Sequence, residues 1–245
     1  MTVEEIKAAI ARPAVPLTAG GFRPTYTPAE SWLGQVTAFA DGEALPTDHN
    51  GDPMLPLAQF YLPALPYLPP ALFGLDLVTI FLSRNYTDLL HDESTRSGAC
   101  PAGRYFEVRE YADRSGLSFD HRETANPYLR AFPLAVGATV GDYPIWDGGG
   151  LSRAMSDRIL ALEREGEIDD YYEFTTHLYG HKIGGYPSFC QSGIMDGGEG
   201  FGDGFSFVLQ ISSDSKIGLN VVDSGSLMFA RNPRTGQWSL YFDFY

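Results

Sequence analysis

Two glutamines stand alone in apolar stretches of the sequence, and such amides are the first candidates for recognition chemistry. Gln59 lies in Leu-Ala-Gln-Phe and Gln210 lies in Val-Leu-Gln-Ile. A buried amide without hydrogen-bond partners costs roughly 1 to 3 kcal/mol, so each must bond to neighbouring backbone or to a ligand. We interpret both as latches on neighbouring backbone, and ligand binding in a shared cleft is the alternative.

His177 and His181 could form a metal site, because they are four residues apart. This interval places two ligands on one face of a helix. Gly180 and Gly184 indicate, however, that any helix has already ended, and no further ligand follows at a recognisable spacing. We therefore predict no metal site here.

A single offset of 151 residues brings several unrelated features of the chain into register without a gap. The matched pairs are Gly34 with Gly185, Gln59 with Gln210, and Gly74 with Gly225. Self-similarity at a fixed offset is the signature of a repeat. We predict one structural unit over residues 1–245, with pseudo-repeat halves at about 22–125 and 170–245.

Hydrophobic and turn patterns predict an α+β protein that is rich in β-strands, internally duplicated and equipped with a few short helices. Predicted strands cover 57–60, 75–82 and 105–111 in the first half, and 208–211, 226–229 and 238–245 in the second. A helix at 151–165 joins the halves, a shorter one follows at about 169–176, and a capped helix begins at Thr2. Four prolines interrupt the apolar stretch 60–75, which we predict to be an irregular crossing rather than a membrane span.

Several ordered motifs resemble landmarks of the YwqG-like family. They are the His-Lys-Ile-Gly-Gly-Tyr-Pro segment that starts at His181, the Leu-Gln-Ile strand at Gln210, the Asp-Ser-Gly-x-Leu-x-Phe strand that starts at Asp223, and the earlier Gly-Asp-Pro-Met and Leu-Ala-Gln segments. The sequence departs from the family where Val221-Val222 replaces Trp-Gly and Gln35-Val36 replaces Gly-x-Pro. The resemblance implies a bacterial protein with a duplicated α+β fold and no established function. We take Gln59, Gln210, His181, Lys182 and Asp223 as candidate binding residues.

Evidence for catalysis is weaker than evidence for binding. Asp223-Ser224-Gly225 is similar to the turn of aspartic proteases, but Leu72 stands 151 residues earlier, where the second carboxylate would be needed. The sequence has no nucleophile elbow, phosphate loop or dinucleotide fingerprint, and neither cysteine lies in a recognisable nucleophile motif. We therefore predict no catalytic residues and no cofactor.

The composition narrows the class of partner. With 17 Lys+Arg against 31 Asp+Glu, the net charge of −14 repels nucleic acid and anionic membranes and attracts basic proteins. Two isolated cysteines and an N-terminus without a signal-peptide pattern favour the cytoplasm. We predict a non-enzymatic binding or interaction protein with a groove between its halves. A more specific form is an immunity-type protein against a basic bacterial toxin, and the alternative is a hydrolase or other enzyme that uses the groove.

Overall fold

The computed structural model describes residues 1–92, 100–120, 126–191, 193–194 and 200–245. Within these residues the chain is rich in strands, with a curled, half-barrel sheet and two α-helices, α1 (Val3–Ile10) and α2 (Arg153–Glu165). The strands are β1 (Arg12–Ala19), β2 (Trp32–Leu33), β3 (Ala38–Ala40), β4 (Leu55–Tyr61), β5 (Leu77–Leu82), β6 (Cys100–Pro101), β7 (Phe106–Tyr111), β8 (Leu117–Phe119), β9 (Phe132–Val136), β10 (Val140–Asp142), β11 (Lys182–Gly184), β12 (Ser206–Ser212), β13 (Ser226–Arg231) and β14 (Trp238–Asp243). The predicted first half includes 93–99 and 121–125, and the predicted second half includes 192 and 195–199; all of these lie outside the described residues.

The main sheet is antiparallel and runs in the order β6-β14-β13-β12-β11-β1-β9-β2-β4-β5-β7. Strand β10 pairs with β1, and β3 pairs with β8 in a separate ladder. Strand β1 therefore joins two flanks, β11 to β14 on one side and β9, β2, β4, β5 and β7 on the other. Each predicted strand of the two halves lies in one of these flanks.

Strand β1 carries two prolines, which is why its sequence does not predict a central strand. Proline has no N–H, but its carbonyl still accepts hydrogen bonds. Pro13 accepts from the N–H of Gly185 at 3.0 Å, and Pro16 accepts from that of Gly137 at 2.9 Å. Three short partners, β9, β10 and β11, share β1, so no neighbour needs its full ladder.

One hydrophobic core cluster contains side chains from both flanks. The rings of Phe106 on β7 and Phe229 on β13 meet edge to face, with centroids 5.7 Å apart. The Pro-rich crossing is irregular, as predicted, with short 3-10 turns at Leu62–Ala64 and Pro70–Leu72 that bury Leu62 and Leu72. No helix in the described part of the chain has the length and apolar character that a membrane crossing needs.

Helix α1 carries the cap that its sequence predicts, and α2, which the sequence predicts at 151–165, begins at Arg153. In α1, the hydroxyl of Thr2 accepts from the N–H of Glu5, and the Glu5 carboxylate accepts from the N–H of Thr2, which confirms the capping box. Helix α2 ends at Gly166, whose φ of +72° is left-handed. The predicted helix at 169–176 is only a 3-10 turn at Tyr171–Glu173. There the Asp170 carboxylate accepts two backbone N–H groups, and such local bonds compete with helix formation.

Candidate functional site

Gln210 on β12 is fully buried and holds several neighbours at once. Its Oε1 accepts from the N–H of Ser188 at 2.8 Å. Its Nε2 lies 3.0 Å from the carbonyl oxygen of Gly180, and 3.0 Å from the hydroxyl oxygens of Ser188 and of Ser212. The amide thus ties the segment around residues 180–188 to β12, and its two N–H groups are shared among one carbonyl and two hydroxyl oxygens.

Gln59 on β4 makes a similar latch in the other flank. Its Oε1 accepts from the N–H groups of Thr37 at 2.9 Å and Ala38 at 3.0 Å, and its Nε2 donates to the carbonyl of Glu30 at 3.3 Å. Strands β11, β1, β9 and β2 lie between β4 and β12, so the two buried glutamines do not share a cleft.

The two flanks match closely around the glutamines and diverge beyond them. A β-bulge lies between Pro56 and Ala58 in one flank and between Phe207 and Leu209 in the other, again 151 residues apart. In the next ladder Gln59 faces Thr79, whereas Gln210 faces Met228, because the second connection is two residues shorter. Gly74 and Gly225 therefore do not fall at equivalent ladder positions.

Lys182 on β11 lies in a fully buried ion pair with Asp142 on β10. Its Nζ is 2.9 Å from one carboxylate oxygen of Asp142 and also donates to the carbonyl of Leu178. The same carboxylate accepts from the N–H groups of Leu178 at 2.7 Å and Tyr186 at 2.8 Å. Burial lowers the pKa of Lys182 to about 8, against the pull of Asp142. Lys182 is thus enclosed by protein groups and joins three segments of the chain.

His177 lies next to this pair, and its hydrogen bonds define its protonation. Its Nδ1 is 2.6 Å from the carbonyl oxygen of Tyr143, which can only accept, so Nδ1 carries the proton. Its Nε2 is then an acceptor and lies 2.7 Å from the hydroxyl of Ser188. Burial lowers the pKa of His177 to about 4, and the charge of Lys182 adds to this effect. The ring is therefore neutral at pH 7, and its Nε2 accepts a hydrogen bond from the Ser188 hydroxyl.

His181 faces different groups from His177. Its Nδ1 accepts from the N–H of Ser212 at 3.1 Å, and its Nε2 lies 3.2 Å from a carboxylate oxygen of Asp214. Burial lowers the pKa of His181, while Asp214 opposes this shift. Among the residues that the structure describes, no three His, Cys, Asp or Glu side chains gather as a metal-ligand set.

A cavity of about 250 Å³, which we call the serine pocket, lies next to Gln210 and His177. It is lined by Tyr179, Gly180, Ser188, Phe189, Cys190, Ser212, Ser213, Ser224, Ser226 and Tyr245. Gln210 fixes the hydroxyls of Ser188 and Ser212, and the latter lies 2.8 Å from the hydroxyl of Ser226. The wall of the pocket is therefore rich in preorganised hydroxyl groups, which can both donate and accept hydrogen bonds.

Asp223 lies in an exposed turn at one side of the serine pocket. The residues on either side, Val222 and Ser224, have φ values of +54° and +55°. The left-handed conformation is costly for a β-branched residue, and glycine adopts it freely. The carbonyl of Asp223 accepts from the N–H of Tyr245 at 3.1 Å, which links this turn to the residues that follow β14.

Three exposed tyrosines lie together beside the pocket. Tyr172, Tyr179 and Tyr245 are 56%, 60% and 70% exposed. Partial burial raises the pKa of Tyr179, and repulsion from the ionised forms of Tyr172 and Tyr245 adds to this rise. Tyr172 belongs to the acidic segment 163–173, which contains six carboxylates and the single cation Arg164. These six carboxylates belong to Glu163, Glu165, Glu167, Asp169, Asp170 and Glu173.

The structure thus places Gln210, His181, Lys182 and Asp223 around or next to one pocket, and it places Gln59 in the opposite flank. Sequence reasoning missed Ser188 and Asp142, because their partners lie in distant segments. It considered His177 only as a metal ligand. The sequence signal that could have revealed the contact between His177 and Ser188 was a histidine shortly before the Gly-Gly-Tyr-Pro-Ser segment.

Comparison with known proteins gives a family and no activity. Residues 31–234 match the family described as Domain of unknown function (DUF1963). The match includes β2 to β13, and therefore Gln59, His177, Lys182, Ser188 and Gln210. No curated protein matches the chain.

Proposed function

We propose that this chain, which belongs to the DUF1963 family, is a non-enzymatic binding protein that receives a basic protein partner at the serine pocket. The observation that carries this proposal is a group of exposed tyrosines. Tyr179 and Tyr245 line that pocket, and Tyr172, which acts on Tyr179, belongs to the acidic segment 163–173. Tyrosine is enriched at protein interfaces, because it offers a large, rigid apolar body and a polar tip.

The chemistry of this surface suits lysine and arginine side chains. Tyrosine rings attract cations through their faces, and serine hydroxyl oxygens accept hydrogen bonds from ammonium and guanidinium groups. The six carboxylates of segment 163–173 add negative charge nearby, and the net charge of −14 steers a basic partner toward the protein. Charge and hydroxyl acceptors therefore favour the same class of ligand.

We extend the proposal to the origin, the internal duplication and the location of the protein. The ordered motifs support a YwqG-like protein of bacterial origin, and the matched latches of Gln59 and Gln210 support an internally duplicated plan. Cys100 and Cys190 are both free thiols, which supports a cytoplasmic location. An immunity-type role against a basic toxin is the most specific form of the proposal.

Capture from a native lysate at low salt, followed by mass spectrometry, tests this function. The wild type should retain basic proteins and release them as salt rises. Glu167→Lys/Asp169→Lys should lose them, whereas Asp41→Lys/Asp52→Lys, which changes the net charge equally at another exposed site, should keep them. Equal capture by the two double variants would reject the proposed surface, and so would captured proteins without a basic character.

The hydrogen bond between Ser188 and His177 favours hydrolase activity as a second candidate function, at the serine pocket rather than in the groove between the halves. In this reaction the Ser188 oxygen bonds to an acyl carbon, its proton moves to Nε2 of His177, and His177 returns that proton to the departing alcohol. Water then releases the acid and restores the Ser188 hydroxyl.

A fluorophosphonate probe and intact-mass analysis decide between the two functions. A hydrolase should gain one adduct, which Ser188→Ala and His177→Gln abolish. Ser213→Ala removes another hydroxyl of the same pocket and should leave the adduct in place. No adduct on the folded wild type rejects the hydrolase and leaves the binding function.

A further inference from the structure

A second cavity, the junction cleft, lies where β1, the Pro-rich crossing and the β11 to β12 region meet. Its volume is about 530 Å³, within the usual range for small-molecule sites. It corresponds in position to the groove that the sequence predicts between the halves. Its described lining includes Tyr67, Phe201, Phe205 and Phe207, together with prolines of the crossing. The walls therefore offer flat, apolar surfaces suited to an aromatic ring.

The cleft is closely packed where Tyr67 meets the backbone of β11. Gly184 has a φ of +78°, and a Cβ atom there would lie 2.8 Å from a ring carbon of Tyr67 and 2.6 Å from the carbonyl oxygen of Pro13. The ring of Tyr67 thus packs directly on the β11 backbone. Elsewhere in the lining, the buried rings of Phe201 and Phe207 have centroids 6.2 Å apart. These contacts give the cleft a defined shape before any ligand enters.

Arg12 supplies the charge of the cleft. Among the described residues that line it, Arg12 is the only Lys, Arg, Asp or Glu. Its guanidinium lies 4.0 Å from the centre of the Tyr186 ring, and the hydroxyl of Tyr186 donates to the carbonyl of Ile10 at 2.7 Å. Stacking on an anchored ring orients the guanidinium, and its five N–H donors match the two oxygens of a carboxylate.

We propose that the junction cleft binds a small aromatic carboxylate, with the ring against the apolar walls and the carboxylate on Arg12. Arg12 is exposed and therefore accessible to a ligand, and no described carboxylate of the lining neutralises it. The inference does not depend on the basic partner proposed above, which contacts a different set of residues.

Calorimetry with a naphthoate and its neutral amide, the naphthamide, tests the cleft on the full chain. The wild type should bind the naphthoate about ten-fold more tightly than the naphthamide, because only the former makes a charge-assisted bond to Arg12. Arg12→Gln should weaken naphthoate binding by about ten-fold and leave naphthamide binding unchanged. Phe205→Ala should weaken binding of both compounds, which places the ring in the cleft.

Arg23→Gln is the matched control, because it removes the same charge from an exposed position outside the described lining. It should bind both compounds as the wild type does. The inference is wrong if the wild type binds neither compound, if it does not prefer the naphthoate, or if Arg23→Gln loses as much affinity as Arg12→Gln. Capture of basic proteins should be the same for Arg12→Gln and wild type, so failure here is distinguishable from failure of the proposed function.

Discussion

Replacement of Gln210 by leucine tests whether this amide stabilises the fold or serves a ligand. The change keeps a similar side-chain volume at a fully buried position of β12. It removes the oxygen that accepts from Ser188 N–H at 2.8 Å and the nitrogen that donates to Gly180 at 3.0 Å. No other group of the new side chain can restore these bonds.

The expected loss of stability follows from the groups left behind. The N–H of Ser188 is buried and would lose its acceptor, which costs roughly 1 to 3 kcal/mol. The carbonyl of Gly180 belongs to a half-exposed residue, so water can replace the amide there at little cost. We expect Gln210→Leu to lower the free energy of unfolding by about 2 kcal/mol.

Urea denaturation measures this change. With a slope of about 3 kcal/mol per M, the midpoint should fall by about 0.7 M. Gln237→Leu alters an exposed glutamine of the same flank and should shift the stability by less than about 0.5 kcal/mol. Equal midpoints for the two variants would refute the latch. An unchanged midpoint with lost capture of the basic partner would assign Gln210 to a binding site.

Three further changes probe the same buried contacts. Gln59→Leu should cost at least as much as Gln210→Leu in the same urea assay, because two backbone N–H groups depend on the Gln59 oxygen; a smaller loss would contradict the parallel. Lys182→Met leaves the buried carboxylate of Asp142 without its cation and should lower the stability by about 3 to 5 kcal/mol in thermal or urea unfolding, and a loss below about 1 kcal/mol would contradict the buried pair. Because the pKa of His177 falls from 6.5 to about 4 on folding, only the unfolded state binds this proton between those values, and stability should decrease as pH falls through that window. His177→Gln should reduce that decrease by up to roughly 3 kcal/mol in urea titrations across the window, and identical pH slopes would refute the assignment.

Much of the strand layout could be predicted from local patterns. The apolar stretches around Gln59 and Gln210 form β4 and β12, because strands buried on both faces are nearly continuous in apolar residues. Caps and left-handed glycines likewise act over only a few residues, so the start of α1 and the end of α2 follow from the sequence.

The centre of the sheet could not be predicted in this way. Strand β1 contains Pro13 and Pro16, and only the tertiary pairing with β9, β10 and β11 makes that segment a strand. The candidate site could not be predicted for a related reason. The bonds among Asp142, His177 and Lys182 join segments whose approach depends on that pairing, and no local spacing encodes it.

The rigidity of the serine pocket has a consequence for binding. Its hydroxyl-bearing wall is fixed by Gln210 and His177. Next to His177, the buried pair of Lys182 and Asp142 joins β11 to β10. Groups that are already ordered lose little conformational entropy when a partner arrives, so more of the contact energy remains as affinity. The exposed tyrosines still have to be ordered on binding. Changes at Tyr179 should therefore alter affinity without loss of the fold, whereas changes in the buried network should alter the fold first.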